Sequence, residues 1–127
     1  MTVLPDTPIA LIVDDDPDVR TMVADLLETL GLRGVPVADA NTVVEVAVAQ
    51  RPALIVLDVI MPDPDGYTVA VRLRGDSRTA SIPIVFMTGQ EASIYRTLSF
   101  GLGAVAFLEK PFNSNTLRAA VGQALGR

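Results

Sequence analysis

The chain has 127 residues, 50% of them hydrophobic but only 5% aromatic, with a formal net charge of −5 and neither cysteine nor histidine. That length suits one domain with an aliphatic core, expected here to span residues 1–127 as a single unit. Lacking Cys and His, the chain has no disulfide, no thiolate or imidazole metal ligand and no phosphohistidine of its own. Its acidic balance argues against direct nucleic-acid binding, which needs a basic face.

Met1 to Pro8 carries no basic segment followed by an apolar one, and no stretch reaches the ~18 apolar residues of a membrane span. A soluble cytoplasmic protein is expected. Ile9 to Val13 (IALIV) is a continuous apolar run, as in a strand buried on both faces. It stops at Asp14, Asp15 and Asp16, and Pro17 then opens a helix with Asp16 as its N-cap. Val19, Met22, Val23, Leu26, Leu27 and Leu30 follow at helical spacing, Met22 being expected in the core, until Gly31 ends the helix.

Arg33 to Val37 reads as a short strand, placed at a sheet edge by Pro36. A second helix is expected from about Asn41 to Gln50, and a strand from Ala53 to Leu57 (ALIVL) that stops at Asp58. The loop Met61-Pro62-Asp63-Pro64-Asp65-Gly66 is dense in turn formers. A third helix covers about Tyr67 to Arg74, a strand Ile82 to Met87, a fourth helix Glu91 to Phe100, a strand Ala104 to Leu108, and a last helix begins near Asn113 or Ser114. Five alternations of strand and helix predict a parallel sheet with helices on both faces.

In such a sheet, ligands bind outside the carboxyl ends of the strands. The first strand presents Asp14 and Asp15 there, the third Asp58, the fourth Thr88, and the fifth Lys110, the only lysine in the chain. Each alone has a plain reading: a turn, a cap or a solvated charge. Together they place three carboxylates, a hydroxyl and an ammonium on one rim. Carboxylates that close repel one another, so a cation or protons must compensate. With oxygen ligands alone, Mg²⁺ is the natural ion. A carboxylate beside Mg²⁺ and an ammonium is arranged for phosphoryl transfer.

The motifs Val13-Asp14-Asp15, Leu57-Asp58 with Met61-Pro62 and Asp65-Gly66, Thr88-Gly89, Gly103-Ala104 and Lys110-Pro111-Phe112 resemble those of response-regulator receiver domains, including single-domain chemotaxis regulators. The resemblance covers about Ile9 to Leu125. Thr88 follows Asp58 by 30 residues and Lys110 follows Thr88 by 22, as in that family. It implies a doubly wound, flavodoxin-like fold of strand order 2-1-3-4-5 with five helices. It also implies that Asp58 is the phosphoacceptor, that Asp15 binds Mg²⁺ directly and Asp14 through water, and that the Ile60 carbonyl completes the ligands with Asp58. Thr88 and Lys110 would contact the phosphoryl group, Thr88 and Phe107 would act as the switch, and the Lys110–Pro111 bond would be cis.

Since the chain has no His, the phosphate must arrive from a histidine kinase or a histidine phosphotransfer protein, or from a small molecule, and the donor is expected to dock near Val19 and Met22. The signal passes to a downstream protein that the sequence does not name. By the same resemblance, Ile60 and Gln90 fall where side chains border the path of the hydrolytic water. Some positions depart from the family pattern. Gly89 and Pro64 stand where Ala or Ser and Met or Leu are usual. Val105, Ala106 and Ala120 stand where DNA-binding members carry the ionic residues of a dimer face, so a monomer or weak dimer is expected. A phosphatase of the haloacid dehalogenase type would need a second acid two residues after Asp58, and Ile60 is there. A purely structural receiver would not need the acceptor, metal and lysine positions that this chain keeps. No output domain is visible, so the chain is either a stand-alone receiver or a piece of a larger regulator or hybrid kinase.

Overall fold

Apolar runs without alternation have no face to offer water, so they form a sheet covered on both sides. A computed structural model describes residues 7–89, 101 and 103–126. In it, β1 (Ile9–Val13), β2 (Arg33–Val37), β3 (Leu54–Asp58), β4 (Ile84–Thr88) and β5 (Ala104–Glu109) pair in parallel in the order β2-β1-β3-β4-β5. β2 is an edge strand, where Pro36 costs no ladder bond. The helices among the described residues are α1 (Pro17–Thr29), α2 (Val43–Gln50), α3 (Gly66–Gly75) and α4 (Ser114–Leu125). The helix expected over Glu91–Phe100 lies outside the described residues. None of the described helices is long and apolar enough to cross a membrane.

Strand side chains alternate between two separate cores. Ala10, Ile12, Leu54, Val56, Val85 and Met87 pack with Val23 and Leu27 of α1 and Leu117, Ala120 and Val121 of α4. Leu11, Val13, Ile55, Leu57, Ile84 and Phe86 pack with Val43 and Ala47 of α2 and Val69, Ala70 and Leu73 of α3. Three of the four described helices start on a side-chain cap that takes an otherwise unpaired N–H, whereas Thr42 before α2 makes no such bond. Asp16 accepts from Asp18, Asp65 from Thr68, and Asn113 from Thr116 in a reciprocal capping box.

Several expected details shift. Asp58 belongs to β3 rather than following it. β4 begins at Ile84, because Ile82 closes a turn by donating to the Thr79 carbonyl. Asn41 and Thr42 lie in a short 3₁₀ turn, Ala40–Thr42, capped by Asp39, and α2 starts only at Val43. Met22 is 41% exposed rather than in the core. The apolar stripe of α1 is wider than the surface the sheet covers, and Val23 and Leu27 fill that surface. Ala106 and Ala120 are buried and Val105 is exposed, which leaves this part of β5 and α4 without charged side chains at those positions.

A register shift between β4 and β5 sets Ile84 opposite Ala104 but Val85 opposite Ala106. The extra residue, Val105, reverses the alternation of the strand. Ala104 therefore packs in the α2–α3 core, Ala106 in the α1–α4 core, and Phe107 against the α2–α3 core again.

Candidate functional site

The carboxyl ends of β1, β3 and β4 and the turn after β5 converge as expected. Asp14 follows β1 and is almost fully buried. One of its carboxylate oxygens accepts from the Asp16 N–H at 2.9 Å and the other from Lys110 Nζ at 2.8 Å. Asp58 closes β3 and is also buried; it accepts from the Ile60 N–H at 3.1 Å and from Lys110 Nζ at 3.1 Å. Asp15 is exposed at the same rim. Asp14, Asp15 and Asp58 each offer an oxygen within 4.8 Å of the others.

The loop after Asp58 is pinned at its base. Val59 donates to the Met87 carbonyl, and Gly66 donates to the Val59 carbonyl at 2.9 Å. A Cβ on Gly66 would lie 2.0 Å from the Asp58 carbonyl oxygen. Only glycine lets α3 start so close to the end of β3. Asp63–Pro64 and Lys110–Pro111 are both cis, the second as the resemblance to receiver domains implies.

Electrostatics follow from this crowding. Burial, and next the negative charge of Asp14, push the Asp58 carboxyl up to about 6, although Lys110 and the Ile60 N–H act in the opposite direction. Burial works against the Lys110 ammonium, but its hydrogen bond to Asp14 and the charge of Asp58 outweigh it, and Lys110 is raised. The Thr88 hydroxyl is buried and, among the described residues, is the one buried side-chain polar atom without a hydrogen-bond partner. A buried hydroxyl in that state costs about 1–3 kcal/mol. It lies at the carboxyl end of β4, the strand paired with β3.

These residues fit a hard divalent cation. The donor set is oxygen only, the charge is in excess, and the three oxygens are close enough to share one ion. Ile60 is held at the rim through its N–H, with its side chain 54% exposed. Phe107 is half-buried against the α2–α3 core. Gln90 lies outside the described residues. Beside Lys110, a cavity of about 330 Å³ is lined by Val19, Met22, Gly89, Pro111 and Phe112.

A family model for the response regulator receiver domain matches residues 10–122. The chain belongs to that family. It is 38% identical over 118 residues to the response regulator Rre1 of Synechocystis, aligning 92% of this chain with 51% of that protein. It is also 38% identical over 120 residues to the DNA-binding dual master transcriptional regulator RpaA of Synechocystis, covering 94% of this chain and 50% of that protein. Among solved structures, the chemotaxis protein CheY4 of Vibrio cholerae superposes with a TM-score of 0.86 at 28% identity, covering 94% of this chain and 99% of that one. The chain spans about half the length of the curated relatives it matches. As a receiver domain of the two-component type, it has in Asp14, Asp15 and Asp58 an acidic pocket consistent with phosphorylation and metal binding.

Because the folded-state pKa of Asp58 stands near 6 against an ordinary 3.8, its ionisation opposes folding. The penalty is absent below about pH 4 and complete above about pH 6. In EDTA at pH 7.5, Asp58→Asn is expected to be more stable than wild type by about 1–2 kcal/mol. The gap should close as the pH falls to 4. Denaturant titrations at both pH values measure it, and a mutant less stable at pH 7.5 would count against the crowded acidic site.

Proposed function

We propose that Asp58 is the phosphoacceptor of this domain and that Asp14, Asp15, Asp58 and the Ile60 carbonyl hold the Mg²⁺ that the reaction needs. The observation that carries this reading is the single ammonium shared by Asp14 and Asp58 beside the unpartnered Thr88 hydroxyl. An Asp58 oxygen attacks the phosphorus of a phosphohistidine on a histidine kinase or phosphotransfer protein. The O–P bond forms as the P–N bond breaks, and the imidazole keeps the electron pair and takes up a proton. Lys110 offsets charge on the phosphoryl oxygens, and the Thr88 hydroxyl donates to one of them. A bound Mg²⁺ would neutralise the remaining oxygen charge.

Thr88 moves toward the new phosphoryl group, and Phe107 turns further inward. Output then leaves through the face of β5 and α4, toward a downstream protein. In this reading residues 1–127 form one cytoplasmic receiver domain, a monomer or weak dimer. Its own acidic surface does not contact nucleic acid, and its only catalysis is its own phosphorylation and dephosphorylation.

The test is labelling by acetyl phosphate, followed by intact mass. One added phosphate is expected with Mg²⁺, none in EDTA and none in Asp58→Asn, because an amide is a poor nucleophile. Equal labelling with and without Mg²⁺ would overturn the metal's part.

The apolar cavity beside Lys110 suits the donor, since it opens next to the acceptor and pairs Val19 and Met22 with Pro111 and Phe112. Val19→Asp places a charge in that seat. Phosphotransfer from the cognate donor should slow at least tenfold, with acetyl phosphate labelling unchanged. Equal transfer by the mutant and wild type would remove this surface from the reading.

Ile60 is apolar and exposed; two residues after Asp58, it falls by the family resemblance beside the path of the hydrolytic water, where it cannot orient a water and shields the phosphoryl group. Slow self-dephosphorylation follows. Decay of the purified phosphoprotein in Mg²⁺ should quicken several-fold in Ile60→Asn; an unchanged rate would place the barrier elsewhere.

A further inference from the structure

The β1–α1 turn must hold two adjacent acidic residues toward a third without any apolar packing of its own. Asp14 and Asp15 lie between the last residue of β1 and the cap of α1, and the charges they carry push them away from Asp58. Two contacts hold the Asp14 carboxylate: the Asp16 N–H on one oxygen and Lys110 on the other. Neither fixes the peptide that joins Asp14 to Asp15. A third contact does. Arg20, on the first turns of α1, donates from Nη1 to the Asp14 carbonyl oxygen at 2.8 Å.

That carbonyl belongs to the peptide plane linking Asp14 to Asp15. Because a peptide unit is planar, fixing its oxygen also fixes the direction in which the chain enters Asp15. Arg20 is itself half-buried and rooted on a helix that Val23 and Leu27 lock to the sheet. The contact is with a backbone carbonyl, so the tie does not depend on whether the carboxylates are neutralised.

We infer that Arg20 is a positioning residue for the metal: by clamping the Asp14 carbonyl it sets the Asp15 carboxylate toward Asp58 before an ion arrives. This rests on the reading of Asp14, Asp15 and Asp58 as the Mg²⁺ site. Without the clamp, the turn must be ordered when the ion binds, and affinity falls by the cost of that ordering. A charge-assisted hydrogen bond is strong enough for about a tenfold effect, equivalent to ~1.4 kcal/mol.

The experiment is calorimetric titration of wild type, Arg20→Ala and Arg20→Lys with MgCl₂, together with the Mg²⁺-induced rise in Tm. Arg20→Ala should bind Mg²⁺ about tenfold more weakly, and Arg20→Lys, which keeps one charged donor, should recover part of the loss. At saturating Mg²⁺, the labelling rate with acetyl phosphate should match wild type within about twofold, because the clamp acts on ion binding and not on the attack by Asp58. If Arg20→Ala does not fold, Arg20→Met keeps the aliphatic stem and carries the same comparison. Equal Mg²⁺ affinity in wild type and the folded mutant would overturn the clamp alone. So would a mutant whose labelling stays slow at saturating Mg²⁺. Absence of Mg²⁺ binding by wild type would overturn the metal reading and the clamp together.

Discussion

One ammonium group holds the functional end of this molecule together. Lys110 follows β5, whereas Asp14 follows β1 and Asp58 ends β3, with β4 lying between. Its side chain must therefore reach across the end of β4 to meet both carboxylates, at 2.8 and 3.1 Å. Removing one partner from a buried ion pair usually costs several kcal/mol, because the remaining charges stay behind unpaired. Here one cation balances two buried carboxylates, and the third, Asp15, stands in water. The balance is incomplete by design of the donor set, and the deficit is what makes the pocket receptive to a further cation.

The scaffold keeps that tension in place. Two aliphatic cores clamp the sheet from both sides, and every strand residue from Leu54 to Asp58 and from Ile84 to Thr88 is buried. The strand ends therefore cannot spread to relieve repulsion among the carboxylates. Strain that would disperse in a loop is retained at the rim as a raised Asp58 carboxyl and a hydroxyl without an acceptor.

Much of this was legible from residue order. The runs IALIV and ALIVL declare doubly covered strands because no polar residue interrupts them, and Pro36 marks the edge. The convergence of Asp14, Asp15, Asp58, Thr88 and Lys110 follows from a rule about strand ends, and the resemblance to receiver domains assigns their roles. Other features leave no mark in the sequence. Helical spacing puts Met22 on the apolar stripe of α1, but it does not say how much of the stripe the sheet covers. Nothing in Ala104-Val105-Ala106-Phe107 distinguishes a bulge from regular pleating, since all four residues are apolar. Arg20 carries no motif either. Its contact is with a backbone carbonyl, and such contacts depend on where a turn points rather than on which residue types flank it.

The closed neck of the loop after Asp58 has a further consequence for how such a domain can diversify. Val59 and Gly66 are joined by a backbone hydrogen bond, so residues 60–65 leave and return through one fixed gate. Ile60 stays tied to the Asp58 carboxylate through its N–H, but the rest of the loop meets the strand end only through that gate, and lengthening a closed loop costs little, about 0.6 kcal/mol per doubling. The chemistry of the rim can be kept constant while the surface around it is rewritten. Pro64 sits at the far side of that span, where substitution can reshape the surface without moving the aspartate.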